Sequence, residues 1–436
     1  MLLKFLTLSL TVCVLARKDK PCAAKNISGQ SVVCVCNATY CDELHRSLPT
    51  KQTFYVYTTS ESGLRFKKVA HTFKDECVNC NQIDLVLDLK RTYQKIQGFG
   101  GAVTDAAGIN WKSLNTALRK LLTKSYYSKA GLEYNMARVP IGGCDFSTHP
   151  YAYNELPVND KYLSNFTLSP EDYKYRLPLL SEITKTSKVP VNIVATTWSP
   201  PPWMKTNNAY TGVGQLKKEY YQTYADYHLK FIEKLSSKGF PIWGITTTNE
   251  PTTGLINAFN FNSLGWTSDE LGKWIVGNLG PTIKKSKYKN VKIMTCDDQR
   301  NTIKDYFIDD MNHHIVGWLD WNLCLNPQGG PNWANNYVDS PIAVFADKQE
   351  FYKEPMYYAL AHFTKFIPRN SIRIKVKSST KSVESVAFLT PRNTVVLVLF
   401  NDNNKTSLNI KYGGKTTKLN LIEKSITTVE FLHEKS

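Results

Sequence analysis

FPIWGITTTNEP, running from Phe240 to Pro251, is the stretch that decides the fold. Ile242, Trp243, Ile245 and the threonines 246 to 248 are β-branched or aromatic. Such side chains fit a pleated, half-buried surface better than a helix, so a β-strand is predicted here. Pro251 cannot donate to a ladder and pushes the residue before it towards an extended geometry, so the strand should stop where Asn249 and Glu250 leave it. A carboxylate at the C-terminal end of a strand stands where β/α barrels gather their catalytic groups, because the loops there converge on one mouth. Taken alone, the tripeptide reads equally well as an ordinary exposed Glu at a strand end.

Outward from this strand, residues 94–322 alternate strand and helix. Tyr134 to Ile141 (YNMARVPI), Val189 to Thr197 (VPVNIVATT) and Asn290 to Cys296 (NVKIMTC) are apolar strand candidates. A helical run through Leu118, Leu121 and Leu122 follows KIQGFGGAVTD. Between 217 and 238, Tyr220, Tyr224, Tyr227, Phe231 and Leu235 recur at steps of four and three, an amphipathic helix that Gly239 can end. Such alternation predicts parallel βα units and a (β/α)8-type barrel. Gly98-Phe99-Gly100-Gly101 lacks the spacing of a dinucleotide loop, and Asp105 would repel phosphate, so a tight turn at the barrel floor is expected there.

Both flanks are β-rich. FYVY (54–57) and IDLVLDL (83–89) lie in residues 17–93, and IRIKVK (372–377), VAFL (386–389), TVVLVLF (394–400) and ITTVEFL (426–432) lie in residues 323–436. Neither flank is long enough for the sandwich their sum would make, so the two are expected to pair into one non-catalytic all-β domain bracketing the barrel.

The chain has 436 residues, 42% of them hydrophobic, ample for a large core. Leu2 to Ala16 is an apolar run of signal-peptide length, so residues 1–16 are read as a removed secretory leader. No later run is long enough to span a bilayer. Asn-x-Ser/Thr sequons at Asn26, Asn37, Asn165 and Asn404 agree with that route. Cys22, Cys34, Cys36 and Cys41, with Cys77 and Cys80 behind them, cluster as disulfides do in an oxidising compartment. No second Cys or His pair accompanies Cys77 and Cys80, so a disulfide or two free thiols is favoured over metal, and no metal or other cofactor is expected. Cys144, Cys296 and Cys324 read as isolated core cysteines. The formal charge of +17 is spread along the chain rather than gathered in a block. That argues against nucleic acid and points to an anionic lipid surface, an acidic partner or simply a solubilising exterior.

Arg138, Asp145, Trp198, Asn249, Glu250 and the segment from Asp320 to Asn322 all fall just past predicted strands. Flat aromatics, amides and carboxylates together suit a sugar, whose C–H face stacks on Trp while its hydroxyls bond the polar groups. Each residue alone is more often core than site; their shared address raises the odds.

SVVCVCNATYC (31–41), GFGGAVTDAA (98–107), RVPIGGCDFS (138–147), TTNEP (247–251), DDQR (297–300), GWLDWNLCLNPQGGPNW (317–333) and NNYVDSPI (335–342) together resemble the glucosylceramidases, lysosomal acid β-glucosidases of glycoside hydrolase family thirty. The resemblance implies retaining hydrolysis of the β-glucosidic bond of glucosylceramide in the lysosome lumen, helped by a saposin-type activator. It implies Glu250 as the acid/base, Arg138, Asp145, Trp198, Asn249, Trp321 and Asn336 as glucose-pocket residues, and disulfides Cys22–Cys34 and Cys36–Cys41.

One part of the family pattern is missing. The nucleophile, a Glu after an apolar strand, should lie between DDQR and GWLDWN, yet no Glu occurs from Leu271 to Gln349. Three strands with their helices cannot fit between Pro251 and Leu319 at about thirty residues per unit, so about two βα units are absent. The barrel must then close with six strands, stay open, or fail to fold. The alternative function class is a non-catalytic product of such a gene, a shortened splice form or an erroneous gene assembly, that at most binds glycolipid or the activator.

Overall fold

The computed structural model describes residues 20–29, 31–73, 83–256, 260–295, 297 and 306–433. The proposed leader, Cys77, Cys80, Cys296 and Asp298 lie outside the described residues. Six parallel strands form the centre: β1 (Gly98–Ala102), β2 (Met136–Ile141), β3 (Asn192–Thr197), β4 (Ile242–Thr246), β5 (Lys292–Met294) and β6 (Gly317–Asn322). Their order is β5-β4-β3-β2-β1-β6, every neighbour parallel. FPIWGITTTNEP supplies β4, as its composition predicts, although the ladder ends at Thr246.

Helices cover the outer face, which is why β1 to β4 are buried on both sides and read as nearly continuous apolar runs. Tyr221–Ser237 buries Tyr224, Tyr227, Phe231 and Leu235, the periodic positions, and Gly239 stops it at φ +89°. The last strand returns to pair with the first, but among the described residues β5 and β6 do not pair. Of the three expected outcomes, the open arc is the one seen among the described residues. The two strands at the opening are half-exposed where the others are buried.

Gly98 to Gly101 is not a turn at the barrel floor but part of β1, wholly buried. A Cβ on Gly100 would stand 2.2 Å from the carbonyl oxygen of Met136, and one on Gly101 2.7 Å from Leu323 Cδ2. The glycines let β2 and the segment after β6 close onto this strand.

The two flanks pair as expected. A nine-stranded sheet joins Thr53–Ser60 to Ser425–Leu432 and Ile83–Lys95 to Ile372–Ser378, around a core that includes Phe54, Leu85, Leu397, Val429 and Phe431. A second sheet was not foreseen, because its strands are only two to four residues long: Ala24–Lys25, Val33–Cys36, Glu350–Lys353 and Ile342–Phe345. Disulfides Cys22–Cys34 and Cys36–Cys41 fasten it, and a buried Lys353–Asp42 pair at 2.9 Å ties it to the chain beyond. Cys144 and Cys324 are buried free thiols. The sequon residues Asn26, Asn165 and Asn404 are exposed, whereas Asn37 is half-buried with its Oδ1 accepting from Thr39 and Tyr40.

Helix Pro355–Thr364 joins the two layers through His362, whose Nδ1 and Nε2 each lie 2.9 Å from a threonine hydroxyl, on Thr428 and Thr59. Burial pushes its pKa down to about 3. Burial likewise pushes His228 down to about 4, against the opposing pull of its bond to the Tyr224 carbonyl. In the unfolded chain both titrate near about 6.5, so below that pH the unfolded state binds more protons. Neither imidazole affects stability above pH 6.5, and each lowers it as the pH falls towards the folded value, by on the order of 3 kcal/mol for His228. Melting temperatures measured by calorimetry should therefore fall between pH 6.5 and 4, and His362→Gln should flatten that slope. An identical slope in the variant would show that His362 already binds its proton in the folded state.

Candidate active site

The C-terminal ends of the strands converge on a cavity of about 700 Å³. Arg138 on β2, Trp198 after β3, Asn249 and Glu250 after β4, Trp321 on β6, and Asp145 and Asn336 from loops all line it. These are the seven residues singled out in the sequence.

Arg138 is the hub. Its Nη2 donates to Asn249 Oδ1 and to Asp297 Oδ2, both at 2.8 Å, and its Nε to Thr196 Oγ1 at 3.2 Å. Its guanidinium carbon lies 4.8 Å from the ring of Trp198 and 5.2 Å from that of Trp321, and the two indoles stack on each other at 5.3 Å and 23°. A cation against two indole faces is attracted by their quadrupoles, more so where water is excluded. Thr246 Oγ1 donates to the same Asp297 oxygen at 2.8 Å, so that oxygen is already engaged.

Glu250 is half-buried, and its backbone departs from expectation. The residue before a proline should be extended, yet Glu250 has φ +43°. Tertiary hydrogen bonds override the local preference. Asn249 N–H donates to Thr197 O at 2.8 Å, Glu250 N–H to Asp297 O at 2.7 Å, and Glu250 O accepts from the Thr253 N–H and hydroxyl at 2.9 and 2.7 Å. Left-handed backbone costs a non-glycine residue about 1–2 kcal/mol, so these bonds hold the carboxylate against strain.

Asp145 is buried, and its Oδ2 accepts from Asn336 Nδ2 at 3.0 Å and Asn332 Nδ2 at 3.4 Å. Burial raises its pKa while the two amides oppose the rise. Asp320 is not among the lining residues. Burial pushes its carboxyl up to about 6, and it stands near Tyr126 and Tyr134. The lining carboxylates among the described residues are Asp145, Glu250, Asp297 and Asp310.

Sequence reasoning placed Asp297 only within the DDQR motif and missed its pairing with Arg138. Asn332, Phe261 and Asp310 were not singled out, because loop residues brought in from 261 and 332 carry no periodic signature. Placing the barrel's end at 322 also separated Asn336 from the cavity it lines and Asn332 from the Asp145 it bonds.

The description "Glycosyl hydrolase family 30 TIM-barrel domain" matches residues 96–307 and 301–367, and "Glycosyl hydrolase family 30 beta sandwich domain" matches residues 370–429. The chain is 35% identical to "Lysosomal acid glucosylceramidase" of Mus musculus over 463 aligned positions, covering 88% of this chain and 89% of that one. It is 34% identical to "Putative glucosylceramidase 3" of Caenorhabditis elegans, covering 94% of each. The crystal structure of SrfJ from Salmonella typhimurium superimposes with a TM-score of 0.80 at 22% identity, over 88% of this chain and all of that one, and so shares the fold. Since 88% of 436 residues is about 384, about 80 of the 463 positions aligned with the mouse protein face gaps in this chain. The two barrel matches meet at 301–307, between β5 and β6, where the arc is open.

The Arg138–Asp297 pair is mostly buried, with 11% and 26% of the two side chains exposed. Arg138→Met leaves Asp297 and the Asn249 amide oxygen without their donor, and should lower the unfolding free energy by about 3 kcal/mol in urea denaturation. The double variant Arg138→Met/Asp297→Asn should recover about half of that loss. Additive losses in the double variant would show that the pair contributes nothing as a pair.

Proposed function

Because this chain belongs to glycosyl hydrolase family 30, we propose that its cavity receives the glucosyl headgroup of glucosylceramide, with Glu250 as the acid/base. It is a glycoside hydrolase by that membership. The observation that carries the reading is the convergence of Arg138, Asp145, Trp198, Asn249, Glu250, Trp321 and Asn336 on one cavity. The indole faces suit the C–H face of a pyranose, while Asp145, Asn249 and Asn336 offer acceptors and donors for its hydroxyls.

In the retaining route, one carboxylic acid protonates the glycosidic oxygen as a second carboxylate attacks the anomeric carbon. The old C–O bond breaks as the glycosyl–enzyme bond forms, and water activated by the first residue then releases the sugar. Glu250 supplies the first role. The second needs a carboxyl about 5 to 5.5 Å away, and the segment that should carry it has no Glu. Asp297 is the nearest substitute in role, but its Oδ2 is held by Arg138 and Thr246. A nucleophile misplaced by about 1 Å can cost on the order of a hundredfold. A second reading follows: this 436-residue form engages the glucoside and turns it over only at trace rates.

Disposition at a membrane belongs to the same proposal. We infer a lysosomal lumenal protein that meets its lipid substrate at an anionic surface, with an acidic saposin-type activator as partner. The net charge of +17 supports this, and no helix among the described residues is long and apolar enough to cross a bilayer. Binding to anionic vesicles in a sedimentation assay should weaken steeply with added salt, since a Debye length of about 8 Å at physiological ionic strength screens diffuse charge. Salt-independent binding would assign the contact to apolar insertion instead.

The decisive assay uses an aryl β-glucoside with a good leaving group, which barely needs the acid and so isolates nucleophilic attack. Glucose release is expected at least about a hundredfold below the range of about 1–1,000 s⁻¹ usual for enzymes. A glucose-shaped iminosugar should still bind by calorimetry and lose binding in Asp145→Ala. Hydrolysis at ordinary enzymatic rates, abolished by Asp297→Asn, would establish that the open arc has recruited this Asp as nucleophile.

A further inference from the structure

Asp105 has no part in the chemistry proposed above, although it stands in GFGGAVTDAA (98–107), one of the stretches that carry the family resemblance. It opens helix Asp105–Ser113 just after β1, is 2% exposed and does not line the cavity at the barrel mouth. A carboxylate buried this deeply costs desolvation unless donors surround it, so its partners are informative. Ser147 Oγ donates to its Oδ2 at 2.6 Å, and the Tyr151 hydroxyl donates to the same oxygen at 2.9 Å. Arg176 Nε stands 3.1 Å from its Oδ1. The same guanidinium donates to the carbonyls of Pro140 and Gly142 at 2.7 and 3.1 Å and pairs with Asp172 at 3.0 Å.

These bonds converge on one turn. Ser147 N–H donates to Cys144 O, and Cys144 N–H donates to Ser147 Oγ, both at 3.2 Å, so Cys144 to Ser147 fold tightly with Asp145 and Phe146 at the tip. Asp145 lines the cavity from that tip, and Phe146 packs edge-to-face with Trp321, ring centroids 5.7 Å apart at 87°. Ala106 N–H donates to Phe146 O at 2.9 Å. Trp333 holds the turn as well, its Nε1 donating to Cys144 O at 2.8 Å and its backbone N–H to Asp145 O at 3.1 Å. The Ser147 hydroxyl therefore both closes the turn and ties it to Asp105.

We propose that Asp105 is a positioning residue: through Ser147 it fixes the turn that presents Asp145 to the sugar and Phe146 to Trp321. The proposal rests on the sugar-binding reading of the cavity. A neutral acceptor would hold the turn less firmly, because a hydrogen bond to an ionised group is about twice as strong as one between neutral groups. Firmness matters, since a binding constellation has to be held within about 0.5 Å of its productive geometry. Arg176 in turn anchors Asp105 to Pro140 and Gly142, the end of β2 from which the turn departs.

Calorimetric titration of deoxynojirimycin, a glucose-shaped iminosugar, into the full chain tests this. Ser147→Ala removes the donor and should weaken binding about tenfold. In an Asp145→Asn background the same substitution should weaken it by only about twofold, because a turn that has lost its carboxylate has little left to position. Equal losses in the two backgrounds would mean that Ser147 supports the fold at large, and would overturn the proposal, as would wild-type affinity in Ser147→Ala. If Ser147→Ala does not fold, Asp105→Asn decides. That variant keeps the shape and an acceptor oxygen, leaves Arg176 a carboxylate in Asp172, and should weaken binding about threefold; unchanged affinity overturns the proposal. The Trp333 indole N–H signal, read by NMR without ligand, separates the proposal from the reading it rests on. It should move in Ser147→Ala, since its acceptor Cys144 O belongs to the turn. A wild-type chain that binds no iminosugar would end the sugar-binding reading, and this signal would then decide the positioning alone: displaced, it supports the hold of Asp105 on the turn, and unmoved, it overturns it.

Discussion

A single guanidinium holds the mouth of this barrel together. Arg138 reaches from β2 to Thr196 on β3, to Asn249 beyond β4 and to Asp297 beyond β5, while lying against the indoles that follow β3 and sit on β6. An arginine does this where a lysine would not, because its planar fork bonds in several directions and stacks on aromatic faces at the same time. In an arc that lacks pairing between β5 and β6, the group also bridges elements that hydrogen-bonded strands leave apart. The side chains proposed to bind the sugar and the carboxylate proposed as the acid depend on the same contact, since Asn249 takes its bond from Arg138 and Glu250 takes its backbone bond from Asp297.

The sequence made the periodic parts of the molecule legible. Strand β4, the helix Tyr221–Ser237 with its glycine stop, and the pairing of both β-rich flanks followed from side-chain spacing and turn residues. Where backbone geometry is set by distant neighbours, local rules failed. Glu250 adopts φ +43° against the preference of a residue before proline, because β3, β5 and Thr253 hold its peptide groups. Gly98 to Gly101 suggested a turn, but the glycines serve close approach of neighbouring backbone in a central strand. The small sheet fastened by Cys22–Cys34 and Cys36–Cys41 has strands too short for any periodicity to show. Asn332 reaches Asp145 across 187 residues of sequence, a pairing that spacing cannot reveal.

The arithmetic of the chain and the geometry of the sheet agree on what this member of family 30 lacks. Too few residues separate β4 from β6 for the usual complement of units, the alignment with the mouse protein carries about 80 positions that this chain does not, and among the described residues β5 and β6 do not pair. Retaining catalysis divides its labour between two carboxyls on different strands. On the proposed reading, a chain short of residues between β5 and β6 separates two properties that an intact barrel joins. Recognition of the sugar, as proposed, rests on residues of β2, β3, β4, β6 and the loops, whereas bond exchange at the anomeric carbon needs a second carboxyl, and no Glu occurs from Leu271 to Gln349 to supply it.

That separation can be observed directly by intact-mass spectrometry of the protein after incubation with an activated 2-deoxy-2-fluoro-β-glucoside, which a retaining enzyme converts to a long-lived glycosyl ester on its nucleophile. The account predicts that the chain keeps its unmodified mass while the same reagent competes with an iminosugar for the cavity. A mass increase of one fluoroglucosyl group, mapped by peptide sequencing to a carboxylate in the cavity, would contradict it.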